Sequence, residues 1–530
     1  MKSQKKLAIL LAIVLAAASF SLAGCATDPS ESPSEGSSES TPATGADAKT
    51  IVYGSGDYTS INPALYEHGE INSLLFAGLT ARDAENNVIP GLAEEWTFDE
   101  ETLTYTFKLR DGITFHDGEK LTSEDVKFTL ETIMNEDYGS EIMSNYEEIE
   151  EITTDGDLTV NIKLDRPNVA MPDYLTVGIL PKHLLDGENV AEAAFNQNPI
   201  GAGPYKLTEW DMGQSISMEK FDDYYLGAPK LDKIIFKIVE AYDARALQLK
   251  SGELTLAQVT PKDSEEFKSD DRFTTYVMDT ADYRGIMYNF NNPFWQKHRE
   301  LPAALSYAVD RQAMIDSVLL GMGQIAYSPL QKGAFANDGI EKYDYSPENA
   351  KAAIEAAGWI LGSNGYYEKD GEELAFEISV RPSDPVRVDM ANIAAQNFQD
   401  IGVNAVVVPN AKTDWANQYT FLIGWGSPFD PDDHTYKVFG TDKGANYSSY
   451  SNVKVDELLE QGRSFEEASE RMPYYQDFQV ELAKDPAYTF FAYIDAVYIA
   501  DKALTGISSE TTLGHHGVGI FFNVHEWDLN

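Results

Sequence analysis

Asn198 to Val239 reads NPIGAGPYKLTEWDMGQSISMEKFDDYYLGAPKLDKIIFKIV, and its turn residues and apolar runs decide the fold. Gly201, Gly203 and Pro204 predict a tight turn, because glycine tolerates positive φ and proline fixes its own φ. Tyr205 to Trp210 and Ser215 to Met218 are short alternating runs joined at Met212-Gly213, the pattern of a hairpin, and Ile234 to Val239 is a third apolar strand. A sheet therefore crosses the chain here.

On the C-terminal side, Tyr283 to Asn289 reads as a strand leading into a second lobe. Ser346-Pro347-Glu348 caps a helix that ends at Gly358, and Asp389 to Ile401 is a second helix closed by Gly402. Leu374 to Val380 and Val403 to Val408 flank that helix, a β-α-β order that implies parallel strands. Tyr419 to Gly424 is a further strand, with Trp425 to Pro431 as the loop at its carboxyl end, where ligands sit in open α/β sheets. Tyr488 to Ala500 is expected to return to the first lobe. On the N-terminal side, Leu103 to Leu109 and Leu158 to Leu164 alternate as half-buried strands. Thr122 and Asp125 form a capping-box pattern before an apolar helical stripe.

With 530 residues, the chain exceeds what one hydrophobic core supports, so two or three lobes are expected. Its 40 basic and 86 acidic residues give a formal charge of -46. Such a surface repels phosphate backbones and anionic headgroups, which argues against nucleic acid and against electrostatic membrane binding. The single cysteine, Cys25, leaves no disulfide within the chain and no Cys-based zinc site.

Lysines at 2, 5 and 6, the apolar run Leu7 to Phe20 and then Leu22-Ala23-Gly24-Cys25 form a signal peptide, since the run is shorter than the ~20 residues that span hydrocarbon. Leu-Ala-Gly-Cys resembles a bacterial lipobox. That resemblance implies cleavage before Cys25 and acylation there, palmitate included, which anchors the chain when two or more acyl groups are present. Residues 25–49 are rich in Ser, Pro, Glu, Thr and Gly and read as a disordered tether.

The opening stretch, with Gly201-Ala202-Gly203-Pro204-Tyr205 leading to Asp223-Tyr224-Tyr225 and Pro229-Lys230-Leu231-Asp232-Lys233-Ile234, resembles the signature of the solute-binding proteins of ABC importers for dipeptides, oligopeptides and nickel (family 5). Ordered matches continue through Ile89-Pro90-Gly91-Leu92-Ala93, Phe107 to Gly112, Phe115 to Gly118, Glu124-Asp125-Val126, Ala308 to Arg311, Ala356 to Trp359 and Ile401-Gly402-Val403. The resemblance implies an α/β, periplasmic-binding-protein-like (type II) two-lobe fold with mixed sheets and an extra subdomain in the first lobe. Lobe I is then expected over 50–80, 198–282 and 490–530, the inserted subdomain over 81–197 and lobe II over 283–489. It also implies a non-enzymatic monomer that captures a peptide-like solute, and permease and ATPase subunits on separate chains. No cofactor is implied.

No GxSxG elbow, GxxxxGK[ST] loop or HExxH is present, which leaves binding ahead of catalysis. A secreted hydrolase using Asp430 or Asp433 as acid or base is the reading from another class. His515 and His516 would face opposite ways on a strand, so with His525 they form no metal cluster by spacing. Trp425 and Phe429 are expected to wall the pocket. By resemblance, the family's peptide binders carry an aspartate shortly after the Gly-Trp that pairs with the solute's amino group. Ser427 and Pro428 stand there in this chain, with Asp430 the nearest acid. Trp-Gly-Ser-Pro-Phe-Asp-Pro is similar to the wording of the nickel-binding branch, which implies pocket roles for Trp425, Phe429 and Tyr66, and a metal-chelate as the alternative cargo. Arg387 lies close to the position of a carboxylate-gripping arginine. His68 and Tyr283 complete the candidates.

Overall fold

The expected hairpin forms between Tyr205–Asp211 and Ser215–Lys220, and Lys233–Ile238 pairs antiparallel with its second strand. The structure, a computed structural model, describes residues 48–66, 69–410 and 412–530. The signal peptide, Cys25 and nearly all of the tether lie outside the described residues.

The glycines before the hairpin serve another purpose than the one expected. Neither has a positive φ. Instead, a Cβ on Gly201 would lie 2.0 Å from the Leu75 carbonyl oxygen, and one on Gly203 would lie 2.5 Å from that of Leu74. The strand approaches the short helix Asn72–Leu75 so closely that only hydrogen fits there.

Seven strands make the first sheet, in the order Phe273–Met278, Ala496–Asp501, Leu256–Val259, Thr50–Ser55, Lys233–Ile238, Ser215–Lys220 and Tyr205–Asp211. Thr50–Ser55 runs parallel to both of its neighbours, and the remaining pairs are antiparallel. Ile51, Tyr53, Ile234 and Phe236 from this sheet share one core with Tyr105, Phe107, Val126 and Leu130 of the inserted region. That region is built on a four-stranded sheet of Ala93–Asp99, Thr104–Leu109, Thr159–Leu164 and Ile149–Asp155. Its helix Ser123–Ile133 begins with the expected capping box between Thr122 and Asp125.

The second sheet has six strands, in the order Gly323–Ile325, Tyr488–Ile494, Tyr283–Tyr288, Thr420–Trp425, Ala375–Val380 and Asn404–Pro409, over a separate core. Ala375–Val380 and Asn404–Pro409 are parallel and joined through helix Pro385–Asp400, as the β-α-β pattern requires. Asp384 caps this helix by accepting from the Arg387 N–H at 3.0 Å, so it starts four residues before the expected Asp389.

The chain passes between the sheets twice, from Met278 to Tyr283 and from Ile494 to Ala496. The second passage corrects one boundary. Tyr488–Ile494 belongs wholly to the second sheet, so a division at 490 would cut a strand, and the return to the first lobe comes at Asp495. Among the described residues no helix is long and apolar enough to cross a membrane.

Candidate functional site

A cavity of about 360 Å³ lies where the two sheets and the inserted region meet. Tyr66, Glu70 and Phe76 line it around the first-lobe helix Asn72–Leu75, and Tyr146, Asp173 and Tyr174 line it from the inserted region. Gly426, Ser427, Phe429 and His434 contribute from the loop after Thr420–Trp425, and His515, Val518 and Phe522 from the C-terminal run.

Gly426 fixes that loop. Its φ is +148°, and a Cβ there would lie 1.8 Å from the Ala281 carbonyl oxygen, on the first passage between the sheets. Its N–H donates to His434 Nδ1 at 3.0 Å, and its carbonyl accepts from the His515 N–H at 3.0 Å. With Nδ1 accepting, neutral His434 carries its proton on Nε2. His515 is set the other way, its Nδ1 2.8 Å from the buried Asp282 carboxylate, which an N–H must fill in the neutral ring.

Charges along the wall are mostly matched. Arg82 pairs with Asp173 at 2.9 Å and lays its guanidinium 3.6 Å from the centre of the Phe429 ring. Burial still pushes the Asp173 carboxyl up to about 6, with Arg82 opposing. Asp433 pairs with Lys437 at 3.1 Å. Burial also raises the Glu70 carboxyl to about 7, against the downward pull of the Tyr53 hydroxyl and Arg245.

The model of the bacterial extracellular solute-binding proteins, family 5, middle region, matches residues 87–447. The oligopeptide-binding protein AppA of Bacillus subtilis (strain 168) is 30% identical over 558 aligned positions covering 100% of both chains. This chain belongs to the bacterial extracellular solute-binding proteins, family 5. The dipeptide-binding protein of Escherichia coli (strain K12) is 27% identical and covers 90% of this chain and 95% of its own. Among solved structures, NikZ from Campylobacter jejuni in complex with Ni(L-His) superposes with a TM-score of 0.87 at 36% identity, covering 91% of this chain and 100% of that one. The AppA structure from Bacillus subtilis in complex with a nonapeptide gives 0.82 at 28% identity, covering 91% and 99%. Members of this family are binding proteins, and the type II two-lobe fold expected from the sequence is the fold found.

Of the expected site residues of this solute-binding protein, Tyr66 and Phe429 line the cavity. Trp425 does not. It is the last residue of its strand, 4% exposed, and packs its ring 5.3 Å from His434, 5.8 Å from His515 and 5.9 Å from Tyr447. It braces the cavity's histidines from behind. Asp430 is held in two hydrogen bonds by Arg471, at 2.5 and 2.6 Å, which occupies the carboxylate that an amino-group clamp or a hydrolytic acid needs. Arg387 is 5% exposed in the first turn of its helix, beside Asp384 at 3.0 Å, and burial with Arg284 nearby lowers it to about 10. Tyr283 is 1% exposed and packs on Phe490 and Tyr493 in the second core. His68 lies outside the described residues.

Sequence reasoning missed Glu70 and undervalued His515. The assumption that His515 and His516 lie on a strand fails. They sit in a single turn with His516 at a φ of +58°, and their ring centres are 3.8 Å apart. His525 is separate, its ring packed on Tyr224.

Proposed function

We propose that this protein is the solute receptor of an ABC importer, a lipid-anchored monomer on the extracytoplasmic face of a bacterial membrane. It encloses a short peptide-like solute between its lobes and hands it to a permease driven by ATPases on separate chains. Lobe I then comprises 50–80, 198–282 and the C-terminal run after Asp495, with 81–197 inserted into it, and lobe II comprises 283–494. The sequence ending in Leu22-Ala23-Gly24-Cys25 supports the anchor.

The observation that carries the reading is the cavity, walled by both lobes and bounded by two chain passages that can act as a hinge. At about 360 Å³ it falls near the small end of the ~300–1,000 Å³ range of ligand pockets, which favours a solute of two or three residues over an extended peptide. The names of the AppA and dipeptide-binding relatives support the same class. Native mass spectrometry of the purified protein tests it. A co-purified species of peptide mass that dissociates on activation is expected. A protein that takes up none of a mixed di- and tripeptide library would overturn the peptide assignment.

One observation favours a metal-amino acid chelate as the second reading. His515 lines the cavity and holds its Nδ1 2.8 Å from the Asp282 carboxylate, the backing that orients ligating imidazoles. The NikZ neighbour, solved with Ni(L-His), supports it. Metal analysis after dialysis against nickel with histidine separates the two: stoichiometric nickel lost in His515→Ala supports the chelate.

A further inference from the structure

Glu70 differs from the other acids of the cavity. Asp173 is neutralised by Arg82, Asp433 is held by Lys437, and Asp430, behind the wall, is occupied by Arg471. Among the described residues the Glu70 carboxylate has one hydrogen-bonding partner, the Tyr53 hydroxyl, 2.9 and 2.8 Å from its two oxygens, and no ion pair. The ionisable groups that face it are Tyr53 on Thr50–Ser55, Tyr58 in the loop beyond, Tyr498 on Ala496–Asp501 and Arg245 on helix Tyr242–Ser251. Three of these are neutral phenols at physiological pH, so among the described residues the part-buried carboxylate has only the Arg245 guanidinium as counter-charge. A desolvated carboxylate without a close cation is costly, and a cation brought by the solute would remove that cost. Tyr66, Phe76 and Phe522 line the same cavity, and aromatic faces also favour a positive nitrogen.

We propose that Glu70 anchors a positively charged nitrogen of the solute, a primary ammonium, and so sets the charge of the cargo from lobe I. The proposal rests on the peptide-like reading above and adds its specificity. It also explains how the loop after Trp425 can do without an available acid, because the anchor stands across the cavity. An ionised Glu70 attracts the ammonium and a protonated one does not. Since burial raises this carboxyl to about 7, affinity for amines should fall as pH drops below that value.

Isothermal titration of the whole protein at pH 8 with Ala-Phe, tri-alanine and their N-acetylated forms tests this. The wild type should prefer the free amines by about tenfold or more, and Glu70→Gln should erase that preference. Glu70→Asp should restore part of it. Tyr53→Phe, which removes the hydroxyl that stabilises the carboxylate, should move the pH midpoint of amine binding upward. This keeps the test alive if Glu70→Gln fails to fold. Equal binding of free and acetylated peptides, a preference retained in Glu70→Gln, or an unmoved midpoint in Tyr53→Phe would overturn the anchor and leave the peptide reading standing. A wild type that binds none of these peptides would overturn both.

Discussion

Gly426 shows how one residue can hold three segments together. It presses on Ala281 in the first passage, receives the His515 N–H and donates to His434. Gly426→Ala therefore meets both a backbone oxygen and an unfavourable φ, and should cost about 1–3 kcal/mol or more, read as a lowered Tm with the secondary structure intact. An unchanged Tm would mean that the loop does not bear on the passage. Glu70 gives a second prediction at this scale. Its folded value of about 7 lies above the ordinary carboxylate value of 4.5, so the folded state holds a proton more tightly than the unfolded chain does. Stability from this group is therefore greatest on the acid side and declines as pH rises from about 4.5 through 7. The Tm of Glu70→Gln, measured between pH 5 and 8, should fall less steeply than that of the wild type. Parallel profiles would show that Glu70 titrates normally.

At the scale of elements, the turn after helix Val453–Gly462 joins the lobes. Arg463, fully buried, donates to Glu148 of the inserted region at 2.5 Å and to Asp432 of the second lobe at 2.8 Å, while the Tyr174 hydroxyl donates to Asp432 at 2.6 Å. Removing the guanidinium takes the ion pair from Asp432 and leaves Glu148 with Arg166 alone, and burial already raises both carboxyls, so Arg463→Ala should cost about 3–5 kcal/mol of stability. Small-angle scattering should report a larger radius of gyration, and peptide affinity should weaken with it. An unaltered radius would show that this contact does not hold the lobes. Asp430→Asn should destabilise the protein by a similar mechanism through Arg471, yet leave solute affinity close to that of the wild type. A selective loss of binding would restore Asp430 to the site.

For the whole molecule, two short passages join two independently packed sheets, a construction that favours hinged motion over shear. A solute that touches both walls binds the closed form better than the open one and shifts the population accordingly. Saturating Ala-Phe should reduce the radius of gyration of the wild type. Arg463→Ala should need more peptide to reach the same value, because its competent state is less populated. Compaction at the same peptide concentration in both proteins would separate closure from the Arg463 contact.

The sequence by itself determined what depends on near neighbours along the chain. The hairpin from Tyr205 and the capping box at Thr122 rest on local turn and cap chemistry, and the Pro385–Asp400 crossover on local periodicity. The ordered family motifs also fixed the two-lobe class. The cavity residues were only partly legible, because a side chain's exposure is set by segments far away in the chain. Trp425 looked like a loop aromatic until Tyr447 and the returning His515 covered it. Asp430 looked available until Arg471 took both of its oxygens. Glu70 carried no signal at all, since its character comes from a phenol on the first strand, a wall supplied by the second lobe and, among the described residues, the lack of a close cation. Local pattern chose the elements. Tertiary packing decided which charges were left for a solute to meet, because desolvation and pairing exist only once distant segments have come together.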